Sequence, residues 1–214
     1  MKIIWIIGSM GSGKTTQNKN LMKILGGGVE FEVCTGETNG IAFMFSKIGR
    51  IASLGLLKEG VQTCGIDPVY SKLKKEGLLL SLQKCREDKM DYVIIEGAQC
   101  SLEWWKQVIE PFMDIRKDSL FVFHLAIGFE DNLRRIRQRR WLKQYPDLSG
   151  FCSDAIQLED RTYVNVLGKN KQYVSLFSKL DKIISPLSIS LTEIDAMLEP
   201  EEITSMILNK MFSN

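Results

Sequence analysis

The sequence predicts an α/β fold in which a central parallel sheet lies between two layers of helices. Residues 3–7 are uniformly apolar, which is typical of a parallel strand covered on both faces. A glycine-rich stretch at residues 8–15 links this run to a segment of helical character. Strand-like and helix-like segments then alternate along the rest of the 214 residues, which favours a parallel sheet with right-handed crossovers.

Residues 8–15, called the phosphate loop below, match the pattern G-x-x-x-x-G-K-[ST] between a strand and a helix. Glycines let backbone N–H groups surround a phosphate, and the helix N-terminus adds partial positive charge. Lys14 is predicted to neutralise the β- and γ-phosphates of a nucleotide, and the Thr15 hydroxyl to bind Mg²⁺. The predicted nucleotide-binding residues here are Gly8, Ser9, Met10, Gly11, Ser12, Gly13, Lys14, Thr15 and Thr16.

Composition places the chain among ordinary globular proteins, with 44% hydrophobic and 25% charged residues and a net charge of +2. This near-neutral balance neither requires nor excludes a nucleic-acid partner. Five widely spaced cysteines without a C-x-x-C pair predict reduced thiols rather than disulfides or a zinc site. No signal peptide is recognised, and no apolar run approaches the roughly 18 residues of a membrane span. We therefore expect a cytoplasmic protein with no membrane partner.

Further elements are predicted from periodicity and capping signals. After the first strand and the helix at 14–25, strands are expected at 29–35, 92–95, 120–125 and 188–194. Helices are expected at 67–88, from 101, at 129–143, at 154–184 with a break at Gly168, and at 200–212. Residues 36–40 are predicted to form a turn. Two β-like runs at 41–46 and 50–56 predict a β-hairpin inserted between core strands, within an acceptor-side segment 38–67.

Three acidic residues are candidates for catalytic roles. Glu96 ends an apolar strand directly before Gly97, where an acid can hold Mg²⁺ or orient an attacking group; the alternative is an exposed strand-end carboxylate. Asp67 and Glu37 each follow a strand-like region near glycine and are candidate bases. Their alternatives are a helix cap, with Pro68 at the first helical position, and a plain turn residue. His124, within an apolar strand, is interpreted as a buried and satisfied histidine.

Five arginines fall within residues 134–140 of a predicted helix. Such clustering is tolerable when polyphosphate binds between the side chains, because arginine pairs bidentately with phosphate oxygens. The alternative is a solvated basic face, and five arginines cannot all line one site. We assign Arg135 and Arg139 to the phosphates, and the segment 129–153 to a lid that is mobile without nucleotide.

Four stretches resemble the P-loop nucleoside and nucleotide kinases, most closely the thymidylate-kinase-like branch: the phosphate loop continued to Gln17, the strand end 94–97, the helix 129–140 and the segment 194–203. The resemblance implies a P-loop three-layer sandwich with an arginine-rich helical lid, and it places Asp195 near the adenine ring. The sequence departs from thymidylate kinases at 96–98 and 35–37, which leaves the acceptor open. The hairpin is weakly similar to phage P-loop kinases, including those that phosphorylate 5-hydroxymethyluracil bases within DNA.

These observations predict an ATP-dependent kinase with Mg²⁺ that transfers the γ-phosphate to a hydroxyl or phosphate of a nucleotide-type acceptor. The acceptor is either free, as a nucleoside or deoxynucleoside monophosphate, or held within DNA. Asp67, Glu37 and Glu96 stay open as the base. Lys47 and Arg50 are predicted to contact a DNA backbone if DNA binds, and a homodimer is left open. The rival prediction is a P-loop NTPase switch that acts on a macromolecule.

Overall fold

A computed structural model describes residues 1–28, 30–57, 65–97, 102–114, 116–146, 156–184 and 189–213. The strands are β1 (Lys2–Gly8), β2 (Glu32–Thr38), β3 (Ile41–Ile48), β4 (Ile51–Leu54), β5 (Tyr92–Glu96), β6 (Ser119–Ala126) and β7 (Ser190–Asp195). The helices are α1 (Lys14–Gly26), α2 (Tyr70–Glu87), α3 (Leu102–Trp104), α4 (Glu110–Phe112), α5 (Phe129–Gln144), α6 (Asp160–Ile184) and α7 (Pro200–Phe212). A π-helical stretch, Trp105–Ile109, joins α3 to α4.

All seven strands form one sheet in the order β2-β3-β4-β5-β1-β6-β7. The five strands β4, β5, β1, β6 and β7 pair with their neighbours in parallel, which confirms the predicted α/β class. The hairpin predicted at 41–56 is present as β3 and β4, but it belongs to the sheet itself. The strand predicted at 29–35 is shifted to 32–38 and pairs antiparallel with β3 at the sheet edge. A core parallel strand was the wrong interpretation of this segment, because its side chains are almost all exposed.

Alternate side chains of β1 pack into two separate helix layers. Ile3, Trp5 and Ile7 join the hydrophobic cluster beneath α2, α3, α4 and α6. Ile4 and Ile6 point to the other face, into the cluster formed with α1 and α7. A strand buried on both faces needs the continuous apolar run that the sequence contains. The three-layer arrangement fixes the carboxyl end of β1, and therefore the start of the phosphate loop, at the centre of one sheet edge.

The β2–β3–β4 meander has its two turns at opposite ends of the sheet. The β2–β3 turn consists of Asn39 and Gly40 with φ of 52° and 77°, the conformation that a two-residue hairpin turn requires. The predicted five-residue turn at 36–40 is thus only two residues long. Phe45 of β3 pairs with Leu54, the last residue of β4. The tip of the β2–β3 hairpin therefore extends beyond the carboxyl end of β4, on the same edge as the phosphate loop.

Two helix predictions differ from the structure. Helix α2 begins at Tyr70 rather than at 67, and its N-cap is Val69, without a side-chain capping bond. The prediction that Asp67 caps this helix is therefore wrong. Helix α6 continues through Gly168 without the predicted break. A single glycine costs a helix only about 1 kcal/mol relative to alanine, which the packing of the other α6 side chains offsets.

Helix α5 rests on α6 through a small hydrophobic cluster of its own, separate from the two sheet clusters. It contains Leu133, Ile136, Trp141, Ile156, Leu158 and Val166. Trp141 packs against Tyr145 with ring centroids 4.6 Å apart. Residues 147–153 of the predicted lid lie outside the described part of the chain. Among the described residues, no helix has the length and apolar character needed to cross a membrane.

Candidate functional site

The phosphate loop connects β1 to α1 and presents backbone N–H groups at the start of that helix. Gly13 is the N-cap of α1 and has a φ of 93°, in the left-handed region that glycine adopts without a Cβ penalty. No acidic side chain lies in the first turn of α1, which suits an anion at this end of the helix dipole. Lys14 is 8% exposed, and its Nζ donates to the carbonyl oxygens of Gly8 and Ser9, both at 2.9 Å.

Glu96 lies at the carboxyl end of β5, directly beside the loop. Its side chain is 1% exposed, and its Oε1 accepts a 3.0 Å hydrogen bond from the Thr15 hydroxyl. Burial raises the pKa of the Glu96 carboxyl from 4.5 to about 7. The Lys14 charge and hydrogen bonds from Thr15 and Asn18 work in the opposite direction and lower it. The alternative of an exposed strand-end carboxylate does not fit this burial.

The segment that enters α2 packs directly against Glu96. A Cβ on Gly65 would lie 2.5 Å from the Glu96 carbonyl oxygen and 2.8 Å from its carboxyl carbon, so only glycine fits here. The Ile66 N–H donates to the same carbonyl at 3.2 Å. Asp67 follows with its carboxylate against Gly97, and its charge adds to the rise of the Glu96 pKa. Two carboxylates thus lie next to the loop in different environments.

The arginines of α5 separate into two groups. Arg135 donates to the carbonyl oxygens of Ala196 at 2.7 Å and Gly11 at 3.4 Å, and Arg139 lines the same cavity one turn later. The remaining three have partners elsewhere: Arg134 pairs with Asp131, Arg137 donates to the Tyr163 hydroxyl and Arg140 approaches the Thr162 hydroxyl. A helix of 3.6 residues per turn places positions 135 and 139 on one face.

A cavity of about 910 Å³ brings these groups together. Its walls come from the phosphate loop, α1, the strand end at Glu96, Asp67, the Arg135 and Arg139 face of α5, and the segment 196–203. This volume is within the range of small-molecule sites. Asp195 lines a smaller neighbouring cavity of about 420 Å³, where its Oδ1 accepts from the Met197 N–H. Glu37 is exposed in β2 and is not among the residues that line either cavity.

No protein-family model and no curated protein matches this sequence. Solved structures that are similar include two of deoxyadenosine kinase from M. mycoides. One, with the products dCMP and a flexible dCDP bound, has a TM-score of 0.45 and 16% identity over 100% of both chains. The other, with dATP bound, has a TM-score of 0.44 and 17% identity over 98% of both chains.

Thr15 and Glu96 have the chemistry of a magnesium site. Their facing oxygens are 3.0 Å apart, close to the separation of about 3 Å expected for adjacent ligands at 2.0–2.1 Å in an octahedron. Hydroxyl and carboxylate oxygens are the hard ligands that Mg²⁺ prefers. Within the described residues no group of three or more His, Cys, Asp and Glu forms a metal cage. This donor set suits an ion bound by one carboxylate, a hydroxyl, substrate phosphates and water.

Two buried asparagines belong to the site although the sequence alone did not identify them. Asn18, on α1, donates to the Ser53 hydroxyl at 2.8 Å and to Glu96, and it is completely buried. Asn132, on α5, donates to the Ser9 hydroxyl and is also completely buried. Their partners are distant in sequence, so neither asparagine carries a local signal; only the helical spacing of Asn132 with Arg135 and Arg139 gives a hint.

Lys47 and Arg50 lie away from the cavity. Arg50 immediately precedes β4 and pairs with Asp91 at 2.9 Å, at the amino end of the parallel strands. Lys47 pairs with Glu32 at 3.4 Å in the adjoining part of the meander. The phosphate loop is at the carboxyl end, so these two charges face the opposite edge of the sheet. The structure therefore gives no support to the predicted contact of Lys47 and Arg50 with an acceptor at this site.

His124 is buried in β6 and does not reach the cavity of the phosphate loop. It is 5% exposed, and its Nδ1 is 3.0 Å from Glu193 Oε2. Its ring packs against Phe177 of α6 with centroids 5.5 Å apart. This environment agrees with the interpretation of His124 as a satisfied structural residue.

Proposed function

We propose that the protein is an ATP-dependent kinase that transfers the γ-phosphate to a hydroxyl or phosphate of a nucleotide-type acceptor. The observation that supports this most strongly is the convergence of Lys14, Glu96, Asp67, Arg135 and Arg139 on one cavity. Phosphoryl transfer needs cations around the triphosphate and a carboxylate that can accept a proton beside the acceptor, and these residues supply both.

Each group in the cavity has a role in this proposal. Lys14 leaves its two loop carbonyls and binds the β- and γ-phosphate oxygens. Arg135 and Arg139 balance the charge that develops on the transferred phosphoryl group and close the cavity to water, which would otherwise accept the phosphate. Thr15 and Glu96 would hold Mg²⁺, which would neutralise the phosphate oxygens. Asp67 accepts the proton of an attacking hydroxyl, a role that its place in the cavity beside Glu96 supports.

The acceptor is tested by transfer of label from γ-labelled ATP. Nucleosides, deoxynucleoside monophosphates and DNA with and without 5-hydroxymethyluracil are supplied separately with Mg²⁺. A labelled product in any of these classes supports the proposal and selects the acceptor. Hydrolysis of ATP without a labelled product in every class would favour the NTPase switch instead.

Lys14→Ala is the control for this assay and a prediction in itself. Loss of the ammonium should lower transfer by about a hundredfold or more, because positioned charge is the main contribution of the protein to phosphoryl transfer. Lys14 donates to two loop carbonyls and is not part of any of the three hydrophobic clusters, so circular dichroism and the melting temperature should change little. Transfer above a tenth of the parent rate would contradict the assigned role.

A further inference from the structure

The first turn of α5 is joined to the phosphate loop by a buried hydrogen bond. Asn132 Nδ2 donates to the Ser9 hydroxyl, and both residues are at most 2% exposed. The carbonyl oxygen of the same Ser9 accepts from Lys14 Nζ at 2.9 Å. The two residues are 123 positions apart in sequence. Asn132 is therefore in contact with the residue that holds the catalytic lysine of the proposed kinase.

Helix α5 packs closely on the phosphate loop at Gly11. A Cβ on Gly11 would lie 3.3 Å from Asn132 Oδ1, 3.6 Å from Ile136 and 3.8 Å from Arg135 Cβ. Within the described part of the chain, Asn132 Oδ1 has no hydrogen-bond partner. A buried polar atom without a partner is costly, so Asn132 lowers the stability of the fold at this atom. This is a pattern found at functional sites rather than in ordinary cores.

Asn132, Arg135 and Arg139 lie on one face of α5 at spacings of three and four residues. Arg135 and Arg139 are the cations that line the cavity. Arg135 contacts the carbonyl oxygens of Gly11 and Ala196 through its two terminal nitrogens. The Asn132 bond is buried beneath them and does not compete with a ligand.

We propose that Asn132 is a positioning residue that fixes the rotation and height of α5 on the phosphate loop, so that Arg139 faces the transferred phosphate. This inference rests on the proposed function. It predicts that Asn132 acts on phosphoryl transfer through Arg139 rather than through nucleotide affinity. A displacement of about 1 Å at a catalytic group is enough to lower a rate by about a hundredfold.

A double-mutant cycle with Asn132→Leu and Arg139→Ala tests the proposal. Leucine has a similar size but cannot donate to Ser9. In Asn132→Leu we expect kcat to fall tenfold or more, with ATP affinity within threefold of the parent. In the double variant kcat should be no more than threefold below that of Arg139→Ala alone. Once Arg139 has been removed, loss of the residue that positions it should have little further effect on the rate. Full multiplication of the two single effects would overturn the proposal.

Two further variants separate positioning from folding. Ser9→Ala removes the same hydrogen bond from the other partner and is expected to show the same coupling to Arg139→Ala, which covers the case in which Asn132→Leu does not fold. Arg137→Gln is the matched control on α5, since Arg137 contacts Tyr163 away from the cavity. Its kcat should stay within threefold of the parent, and its effect should multiply with that of Arg139→Ala. Coupling of similar size in Arg137→Gln would show a general weakening of the helix and overturn the specific role of Asn132.

Hydrogen exchange distinguishes failure of this inference from failure of the proposed function. In the parent protein, ATP with Mg²⁺ should slow exchange along α5, and this slowing should be lost in Asn132→Leu although ATP still binds. Slowing that is retained in Asn132→Leu overturns the positioning role alone. Absence of ATP binding in the parent overturns the nucleotide site and, with it, both proposals.

Discussion

At the scale of single residues, Asp67 provides the sharpest test of the chemistry. It is half-buried against Gly97 and does not cap α2, so its substitution should disturb the helix little. Asp67→Asn keeps the size of the side chain and removes the base. We expect kcat to fall about a hundredfold or more with a melting temperature nearly unchanged. Near-normal steady-state kinetics would reassign the base to Glu96, since Glu37 does not line the cavity.

The raised pKa of the Glu96 carboxyl predicts that the free energy of unfolding depends on pH. Its folded-state pKa of about 7 lies above its ordinary value of 4.5 because burial disfavours the charged form. The folded state therefore binds this proton more tightly than the unfolded state does. The contribution of Glu96 to stability is fully present below about pH 4.5, and it is lost as the pH rises to about 7.

Glu96→Gln isolates this contribution, because glutamine resembles the protonated acid at every pH. Without nucleotide, the unfolding free energy of Glu96→Gln should exceed that of the parent by an amount that grows between pH 4.5 and 7. The difference should level off above pH 7 at a value on the order of 3 kcal/mol. Urea denaturation in buffers from pH 4 to 8 measures it. A difference independent of pH would show that Glu96 is ionised in the folded protein.

Which of these residues the sequence predicts depends on how local their signals are. Lys14, Thr15 and Glu96 stand in a motif or at the end of an apolar strand, so each has a signal within a few residues. Asn18 and Asn132 have partners on other elements, Ser53 and Ser9, and their burial depends on the assembled sheet. A polar residue in a helix is uninformative until that packing is known.

At the scale of elements, the close packing of α2 on β3 explains why a glycine stands within that helix. Gly77 lies so close to β3 that an added Cβ would be 2.3 Å from the Ala42 carbonyl oxygen. One turn later, the Ser81 hydroxyl accepts from the Met44 N–H at 3.0 Å. These contacts hold α2 against the β2–β3 hairpin, which projects beyond the carboxyl end of β4.

Gly77→Ala and Gly168→Ala should therefore have opposite effects. Alanine is the better helix former by about 0.8–1.0 kcal/mol, so both variants would be stabilised if propensity decided the result. At Gly77 the clash with β3 should outweigh this and lower stability by about 1–3 kcal/mol. At Gly168 no atom lies within 4 Å of an added Cβ, so stabilisation is expected. Thermal unfolding of both variants measures the contrast, and stabilisation of Gly77→Ala would contradict the packing.

The sequence predicts best the elements that carry local signals along their whole length. Helix α7 and strand β6 have capping or apolar signals over their whole length, and their predicted bounds agree with the structure to within a residue or two. Strand β2 alternates polar and apolar residues but is exposed on both faces, so alternation did not reveal its place at the sheet edge. Its direction follows from the Asn39–Gly40 turn, which is a local signal of an antiparallel hairpin.

At the scale of the whole molecule, the cavity is assembled from the beginning, middle and end of the chain. The phosphate loop and α1 form one wall, α5 forms another and the segment 196–203 forms the third. The third wall depends on the attachment of α7 to α1. There the Thr204 hydroxyl contacts Gln17 Oε1 at 2.6 Å and the Pro200 carbonyl oxygen at 2.7 Å, and Asn20 donates to it at 3.1 Å.

Thr204→Val should weaken nucleotide binding without slowing transfer. Valine has the shape of threonine but leaves Gln17 and Asn20 without this partner, which costs about 1–3 kcal/mol in a buried setting. The looser attachment of 196–203 acts on ATP in the ground state and the transition state alike. We therefore expect KM for ATP to rise about threefold to tenfold with kcat within twofold of the parent. Ser205→Ala is the matched control, since its exposed hydroxyl donates to the Glu201 carbonyl oxygen of its own helix, and both constants should be unchanged. A fall in kcat in Thr204→Val would mean that the α7 wall takes part in the transfer step itself.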